Sequence, residues 1–118
     1  MPICNLSTWT RTSISILTAL AFLFGGLSGL AALPLITISQ KGREFKPPEV
    51  SIKRGEALDI VNDDADLLHH AYVDSDTFRF DSGDQKPGTK TSITFPVTGT
   101  FEVLCAIHPK MKLLVHVQ

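Results

Sequence analysis

The stretch Phe101-Glu102-Val103-Leu104-Cys105-Ala106-Ile107-His108-Pro109-Lys110-Met111 combines a strand pattern with three side chains that bind soft metals. Residues 101–105 alternate as a strand does, so the thiol of Cys105 should lie on the same face as the apolar side chains before it. Pro109 cannot continue that strand, so we expect a tight loop before a second strand at residues 112–117. A thiolate, an imidazole and a thioether on one short loop suit copper.

A trigonal copper site with two histidines, one cysteine and an axial methionine needs a second imidazole from elsewhere in the chain. His69 and His70 are adjacent, and neighbouring residues of a strand face opposite ways, so only one of them should point into the site. Taken alone, either would be a surface residue. His116 alternates with valines on both sides and is predicted to lie on the surface of the last strand.

The rest of the chain is typical of short strands separated by turns. The turns contain glycine, proline and acidic residues, and a long polar segment at residues 74–88 contains Phe78 and Phe80, which we expect to reach the core. No segment after residue 31 has a long amphipathic helical period. The pattern predicts an all-β, antiparallel-rich sandwich or barrel, with strands near residues 35–39, 49–53, 57–61, 69–73 and 89–95.

The first 31 residues are typical of an export signal. Arg11 is their one formal side-chain charge, an apolar run covers residues 14–30, and Gly29 and Ala31 are small residues at the positions that a signal peptidase inspects. We therefore expect cleavage after Ala31, a single exported domain at residues 32–118, and a periplasmic location. An uncleaved membrane anchor is the alternative, because such a run is near the lower limit for spanning a bilayer.

Charge and cysteine content narrow the function classes. The formal net charge of the chain is -1 and no basic block is present, so no nucleic acid partner is indicated. Without the leader, Cys105 is the one remaining cysteine and no internal disulfide can form. It could be an inert buried thiol, but His108 and Met111 favour a metal ligand. The acidic loop at residues 62–66 is interpreted as solvated, with a hard-cation site as the alternative.

The sequence from Gly99 to Met111, followed by Val115-His116-Val117, resembles the C-terminal copper loop of the cupredoxins, the small blue copper proteins. Among these, the plastocyanin, pseudoazurin and amicyanin group is the most similar, and the short Cys-x-x-His-x-x-Met loop is similar to that of amicyanin. The resemblance implies a Greek-key β-sandwich that binds one copper ion, Cu(I) or Cu(II). It also implies the ligands Cys105, His108, Met111 and His69, with His70 in the place of the family's asparagine as a neighbouring hydrogen-bonding residue or alternative ligand.

The resemblance further implies a type 1 (blue) copper protein that acts as a one-electron carrier. No catalytic residue is predicted, because this ligand set leaves no open coordination position, and an enzyme is not expected. Redox donor and acceptor proteins should dock briefly on a monomer, around the imidazole of His108. The alternative function is a periplasmic copper-binding protein for delivery or sequestration. The apolar collar at the docking edge would be Leu68, Ala106, Ile107 and Pro109, although Leu68 and Ile107 could equally be core residues.

Overall fold

The structure is a computed structural model that describes Gly29 and residues 35–118. Within these residues there are nine β-strands and no helix, and so no helix that could cross a membrane. All nine strands belong to one compact unit, Ala32–Gln118. The predicted export signal lies outside the described residues except for Gly29. The strands are β1 (Ile36–Lys41), β2 (Glu44–Lys46), β3 (Glu49–Ile52), β4 (Ala57–Asn62), β5 (Ala71–Asp74), β6 (Arg79–Asp81), β7 (Lys90–Thr94), β8 (Gly99–Cys105) and β9 (Lys112–Val117).

The strands form two sheets, in the orders β2-β1-β4-β7 and β3-β9-β8-β5-β6. Most neighbours are antiparallel, but β1 pairs with β4 and β3 pairs with β9 in parallel. The predicted all-β sandwich is therefore confirmed. The sequence pattern did not reveal β2 and β6, because each is only three residues long and too short to establish a period of two.

The core lies between the sheets and follows the alternation of their strands. In β8, Phe101, Val103 and Cys105 are buried while Glu102 is exposed, so the thiol does lie on the core face. The same alternation buries Leu113, Val115 and Val117 of β9 and Ile38 of β1. Other members of this core are Ile52, Leu58, Ile60, Val73, Ile93 and Phe95.

The ring of Phe78 attaches the long polar segment to two aromatic rings of this core, those of Phe95 and Phe101. The ring centroid of Phe78 is 5.1 Å from that of Phe95 and 5.9 Å from that of Phe101. Phe78 and Phe80 are both half-buried and pack against the core cluster, as expected from the sequence. The same segment contains Gln85, a buried residue that helps to position His69.

Several chain segments that matter for the site meet at one end of the second sheet. β8 ends at Cys105 and β9 begins at Lys112, with Leu104 paired to Lys112 across the hairpin. The other strand that pairs with β8 is β5, which begins at Ala71, and Ala71 is paired with Cys105. The loops 63–70 and 106–111 therefore leave the sandwich at the same end.

Candidate metal centre

One sulfur and two nitrogen donors converge at the end of β8. The Sγ of Cys105 lies 3.9 Å from Nδ1 of His69 and 3.7 Å from Nδ1 of His108, and the two nitrogens are 3.2 Å apart. A point equidistant from three atoms so arranged is about 2.1 Å from each of them, which is the usual length of a metal–imidazole bond. The three donors thus already stand where a single ion could bind all of them.

His69 is held by its backbone as well as by its ring. It precedes β5, and its N–H and C=O both pair with the backbone of Gln85, at N···O distances of 3.1 and 2.7 Å. The side-chain amide of Asn62 donates to the carbonyls of Leu67 and Gln85, at 2.8 Å each, and so fixes the loop before His69. The imidazole is fully buried, and this clamp limits its movement.

The outer nitrogen of His69 contacts a carboxylate. Nε2 lies 2.6 Å from Oδ2 of Asp64, and Oδ1 of Asp64 accepts the N–H of Gly42 at 3.0 Å. Burial by itself would raise the pKa of Asp64, but the Gly42 N–H and the His69 ring hold that pKa below its usual value. An ionised Asp64 accepts a hydrogen bond from the Nε2–H of His69, which leaves the lone pair of Nδ1 directed toward Cys105 and His108.

Cys105, His108 and Met111 come from the loop that the sequence singled out. Cys105 and Met111 are buried and His108 is half-buried. The N–H of Met111 donates to the carbonyl of His108 at 3.0 Å, which closes the loop into a turn. The pKa of His108 is lowered chiefly by burial and further by the neighbouring His69 ring and the charge of Arg43, so the neutral ring that can bind a metal is favoured.

His70 lies outside this cluster. Its Nε2 is 2.6 Å from Oδ1 of Asp81 and its Nδ1 is 3.3 Å from Oδ1 of Asp84, so both ring nitrogens face carboxylates. The backbone carbonyl of His70 accepts the N–H of Ala106 at 2.9 Å, next to the thiol. At this position the main chain, and not the side chain, makes the hydrogen bond to the copper-loop region.

His116 also lies apart from the three donors, on the strand where the sequence predicted it. It is half-buried, with Nε2 at 2.6 Å from Oε1 of Glu49 and Nδ1 at 3.1 Å from the hydroxyl of Thr100. Both of its ring nitrogens therefore have partners of their own.

An apolar rim surrounds the half-buried His108. Ala106, Ile107 and Pro109 are exposed, and Ile107 keeps 41% of its surface accessible, so it is not a core residue. Leu68 is half-buried. An open groove continues from this rim, lined by residues 42–44 and 107–111.

Two residues beside the cluster were not singled out from the sequence. Asp64 was assigned to a solvated acidic loop, yet its side chain is only 10% exposed. Its position five residues before His69 was the available signal, but no periodic pattern links the two. Arg43 has a positive φ of 63° in the turn between β1 and β2, as does Gly42, and this turn brings its charge into the groove beside His108.

The sequence matches no protein-family model and none of the curated proteins with which it was compared. Solved structures do match. A Cu(I) methionine-to-alanine variant of amicyanin superposes with a TM-score of 0.66 at 22% identity, over 75% of this chain and 87% of that one. An oxidised proline-to-glycine variant of amicyanin gives 0.66 at 20% identity, over 76% and 88%. This chain has the cupredoxin fold.

Another cupredoxin match is part of a larger protein. The copper-containing nitrite reductase of Thermus scotoductus SA-01 superposes with a TM-score of 0.66 at 29% identity, over 76% of this chain. The match covers only 24% of the nitrite reductase chain. The cupredoxin fold, together with the cluster of His69, Cys105 and His108, supports a copper protein with one copper ion.

Proposed function

We propose that this chain is a type 1 copper protein that carries single electrons between redox partners. The observation that carries the proposal is the buried triangle of Cys105, His69 and His108 at one end of a cupredoxin sandwich. These three residues are the proposed strong ligands. Met111, buried at the end of the same loop, would be a fourth and weaker ligand.

When bound, copper would supply the electron-accepting and electron-donating chemistry by alternating between Cu(II) and Cu(I). The chain itself holds the donors at fixed positions. Cys105 lies on the regular strand β8, and His69 is clamped by two backbone hydrogen bonds to Gln85. Donors held this firmly cannot rearrange much between the two oxidation states, which favours rapid electron transfer.

Burial supports a carrier in preference to a catalyst. Cys105, His69 and Met111 are almost inaccessible to solvent, so a substrate has no route to the cluster past these three side chains. His108 is the half-buried member of the set and gives the shortest path to the surface. A protein for copper delivery would need an exposed, exchangeable site, which this arrangement does not favour.

The surroundings of His108 support a transient docking site for a redox protein. Ala106, Ile107 and Pro109 form an exposed apolar rim, with the half-buried Leu68 as a further proposed contact. Small apolar surfaces of this kind suit brief, weak complexes. Two exposed cations, Arg43 and Lys110, line the adjacent groove together with one carboxylate, that of Glu44, which is paired with Lys46 at 3.4 Å. The two cations therefore favour a partner with an acidic surface.

Location and assembly complete the proposal. We expect export to the periplasm with cleavage after Ala31, and a monomeric domain at residues 32–118. The leader pattern supports export and cleavage, and the small size of the proposed docking surface supports a monomer.

The test is a visible absorption and electron paramagnetic resonance spectrum of the full-length chain after addition of Cu(II), with Cys105→Ser as the control. The proposal predicts an intense blue thiolate-to-copper band and a narrow copper hyperfine splitting, both absent from the control. A pale tetragonal spectrum that survives the loss of Cys105 would exclude this function and favour copper delivery or sequestration.

A further inference from the structure

Asp64 differs from the other acidic residues near the histidines because its side chain is largely buried. Its side chain is 10% exposed and its Oδ2 lies 2.6 Å from Nε2 of the fully buried His69. Asp81, which contacts His70 at the same distance, is 66% exposed. A carboxylate in a dry environment interacts far more strongly with its partner than one in water.

Two hydrogen bonds fix the position of Asp64, in addition to its contact with His69. Its backbone N–H donates to the side-chain oxygen of Asn62 at 3.0 Å, and its Oδ1 accepts the N–H of Gly42 at 3.0 Å. The same Asn62 side chain holds the carbonyls of Leu67 and Gln85. These hydrogen bonds hold the loop at residues 63–68 so that Oδ2 of Asp64 faces His69.

We propose that Asp64 is a positioning residue that keeps Nδ1 of His69 as the metal-binding nitrogen and lowers the reduction potential of the site. The proposal rests on the copper-binding function proposed above. A carboxylate that accepts the outer N–H of a ligand imidazole fixes its orientation and makes the ligand more basic. A nearby negative charge also stabilises Cu(II) more than Cu(I), because the oxidised ion has the higher charge.

A purely structural role makes a different prediction. Asp64 joins the loop at residues 63–68 to the turn at Gly42, so its removal could loosen both segments without any preference for one oxidation state. In that case the affinities for Cu(II) and Cu(I) would fall together. The ratio of the two affinities separates these roles.

The variants are Asp64→Asn and Asp63→Asn in the full-length chain. Asp64→Asn keeps a hydrogen-bond acceptor but removes the charge. Asp63 is exposed on the same loop, and among the described residues its side chain has no hydrogen bond or ion pair, so Asp63→Asn is a control of equal charge change.

We expect Asp64→Asn to lose about 10-fold to 100-fold in Cu(II) affinity with a smaller loss for Cu(I). Each tenfold loss confined to Cu(II) raises the potential of a one-electron couple by about 59 mV. Asp63→Asn should shift the potential far less. Equal potentials for the two variants, or parallel losses for both oxidation states, would overturn the proposal.

A copper-free measurement separates this proposal from the proposed function. Nitrogen-15 resonances of the His69 ring in the metal-free chain should report a proton on Nε2 alone, and Asp64→Ala should populate both tautomers. If the wild-type chain gave no blue band with Cu(II), but Asp64→Ala still changed the tautomer of His69, the positioning role would stand and the electron-carrier function would fail. An unchanged tautomer in Asp64→Ala would overturn the positioning role even in a blue protein.

Discussion

Two neighbouring histidines, His69 and His70, make the same contact with a carboxylate in opposite surroundings. The Nε2–Oδ distance is 2.6 Å in both the His69–Asp64 and the His70–Asp81 pair. The first pair has side-chain exposures of 0% and 10%, and the second has 22% and 66%. The length of the contact therefore says nothing about which histidine serves the site.

The second ring nitrogen makes the distinction. Nδ1 of His69 faces Nδ1 of His108 and Sγ of Cys105, whereas Nδ1 of His70 faces a second carboxylate, that of Asp84. His69 has one nitrogen on an acceptor and one on other donors, which is the arrangement of a metal ligand with an outer partner. The ring of His70 lies between two surface carboxylates, those of Asp81 and Asp84.

The largest effect expected from this comparison is on copper binding. His69→Ala should abolish the blue band and lower Cu(II) affinity by more than the roughly hundredfold loss typical of an outer partner. His70→Ala and His116→Ala should each retain the band, because neither ring reaches the cluster. The three variants are compared by Cu(II) titration, and retention of the band in His69→Ala with its loss in His70→Ala would reverse the assignment.

Asp59 is a buried carboxylate whose partners are Ser92 and Lys90, so its substitution shows the effect of losing a buried charge that does not contact a histidine. It is a buried carboxylate in β4 that accepts hydrogen bonds from the Ser92 hydroxyl and, at 3.0 Å, from the Lys90 ammonium. We expect Asp59→Asn to lower the free energy of unfolding at pH 7 by about 1.5–3 kcal/mol, as for other hydrogen bonds to buried charges. The blue band should be unchanged, because the side chain of Asp59 contacts Ser92 and Lys90 of β7 and none of the three donors.

The same variant has a predictable pH dependence. The hydrogen bond from Ser92, followed by that from Lys90, lowers the pKa of Asp59 in the folded protein. A lowered folded pKa stabilises the protein above the unfolded pKa of about 3.9, and this contribution is lost as pH falls through the folded pKa. Urea unfolding should therefore show a smaller difference between wild type and Asp59→Asn at pH 3 than at pH 7, and an equal difference would contradict the assignment.

A smaller effect is expected at the proposed docking groove. Arg43→Gln combined with Lys110→Gln should slow oxidation of the Cu(I) form by hexacyanoferrate(III) about threefold to tenfold at low salt, because both cations lie beside His108. Lys53→Gln with Arg54→Gln is the matched control, since Arg54 pairs with Gln118 at the opposite end of β9. The stopped-flow oxidation rates of wild type and both double variants should converge at high salt. If the control double variant slowed oxidation equally, the rate would depend on the net charge of the protein and not on the charges beside His108.

The smallest effect concerns the contact between His116 and Glu49. His116 and Glu49 are 38% and 61% exposed although their closest atoms are 2.6 Å apart. Exposed ion pairs contribute little, so Glu49→Gln should change the free energy of unfolding by no more than about 1 kcal/mol and leave the potential unchanged. Thermal unfolding would measure the change in stability, and voltammetry would measure the reduction potential. If Glu49→Gln shifted the potential as much as Asp64→Asn, the burial of the carboxylate–histidine pair would not explain the effect of Asp64.

The fold was predictable because its strands carry strong alternation and turn signals. Residues 101–105 and 112–117 identified the β8–β9 hairpin almost to the residue, and the burial of Phe101, Val103 and Cys105 followed from the period of two. The strand expected at residues 69–73 begins only at Ala71, because His69 forms an isolated bridge with Gln85 before the regular strand. That bridge joins residues distant in sequence, so no local pattern contains it.

The outer environment of the cluster was less predictable for the same reason. Asp64 lies in a sequence of acidic residues that is typical of a solvated loop, and only the fold shows that one of them turns inward to His69. Arg43 reaches the groove through a left-handed turn conformation that an arginine rarely adopts. Donor types and spacing are properties of the local sequence, whereas these contacts depend on how the sheets bring loops together.

X-ray absorption at the copper edge, on the loaded full-length chain in both oxidation states, would show whether Cys105, His69 and His108 bind the ion. We expect two nitrogen ligands at about 2.0–2.1 Å and one short sulfur ligand, with little change in distance on reduction, because the three donors already surround a point at about that distance. A first shell of nitrogen and oxygen atoms without a short sulfur ligand would contradict it.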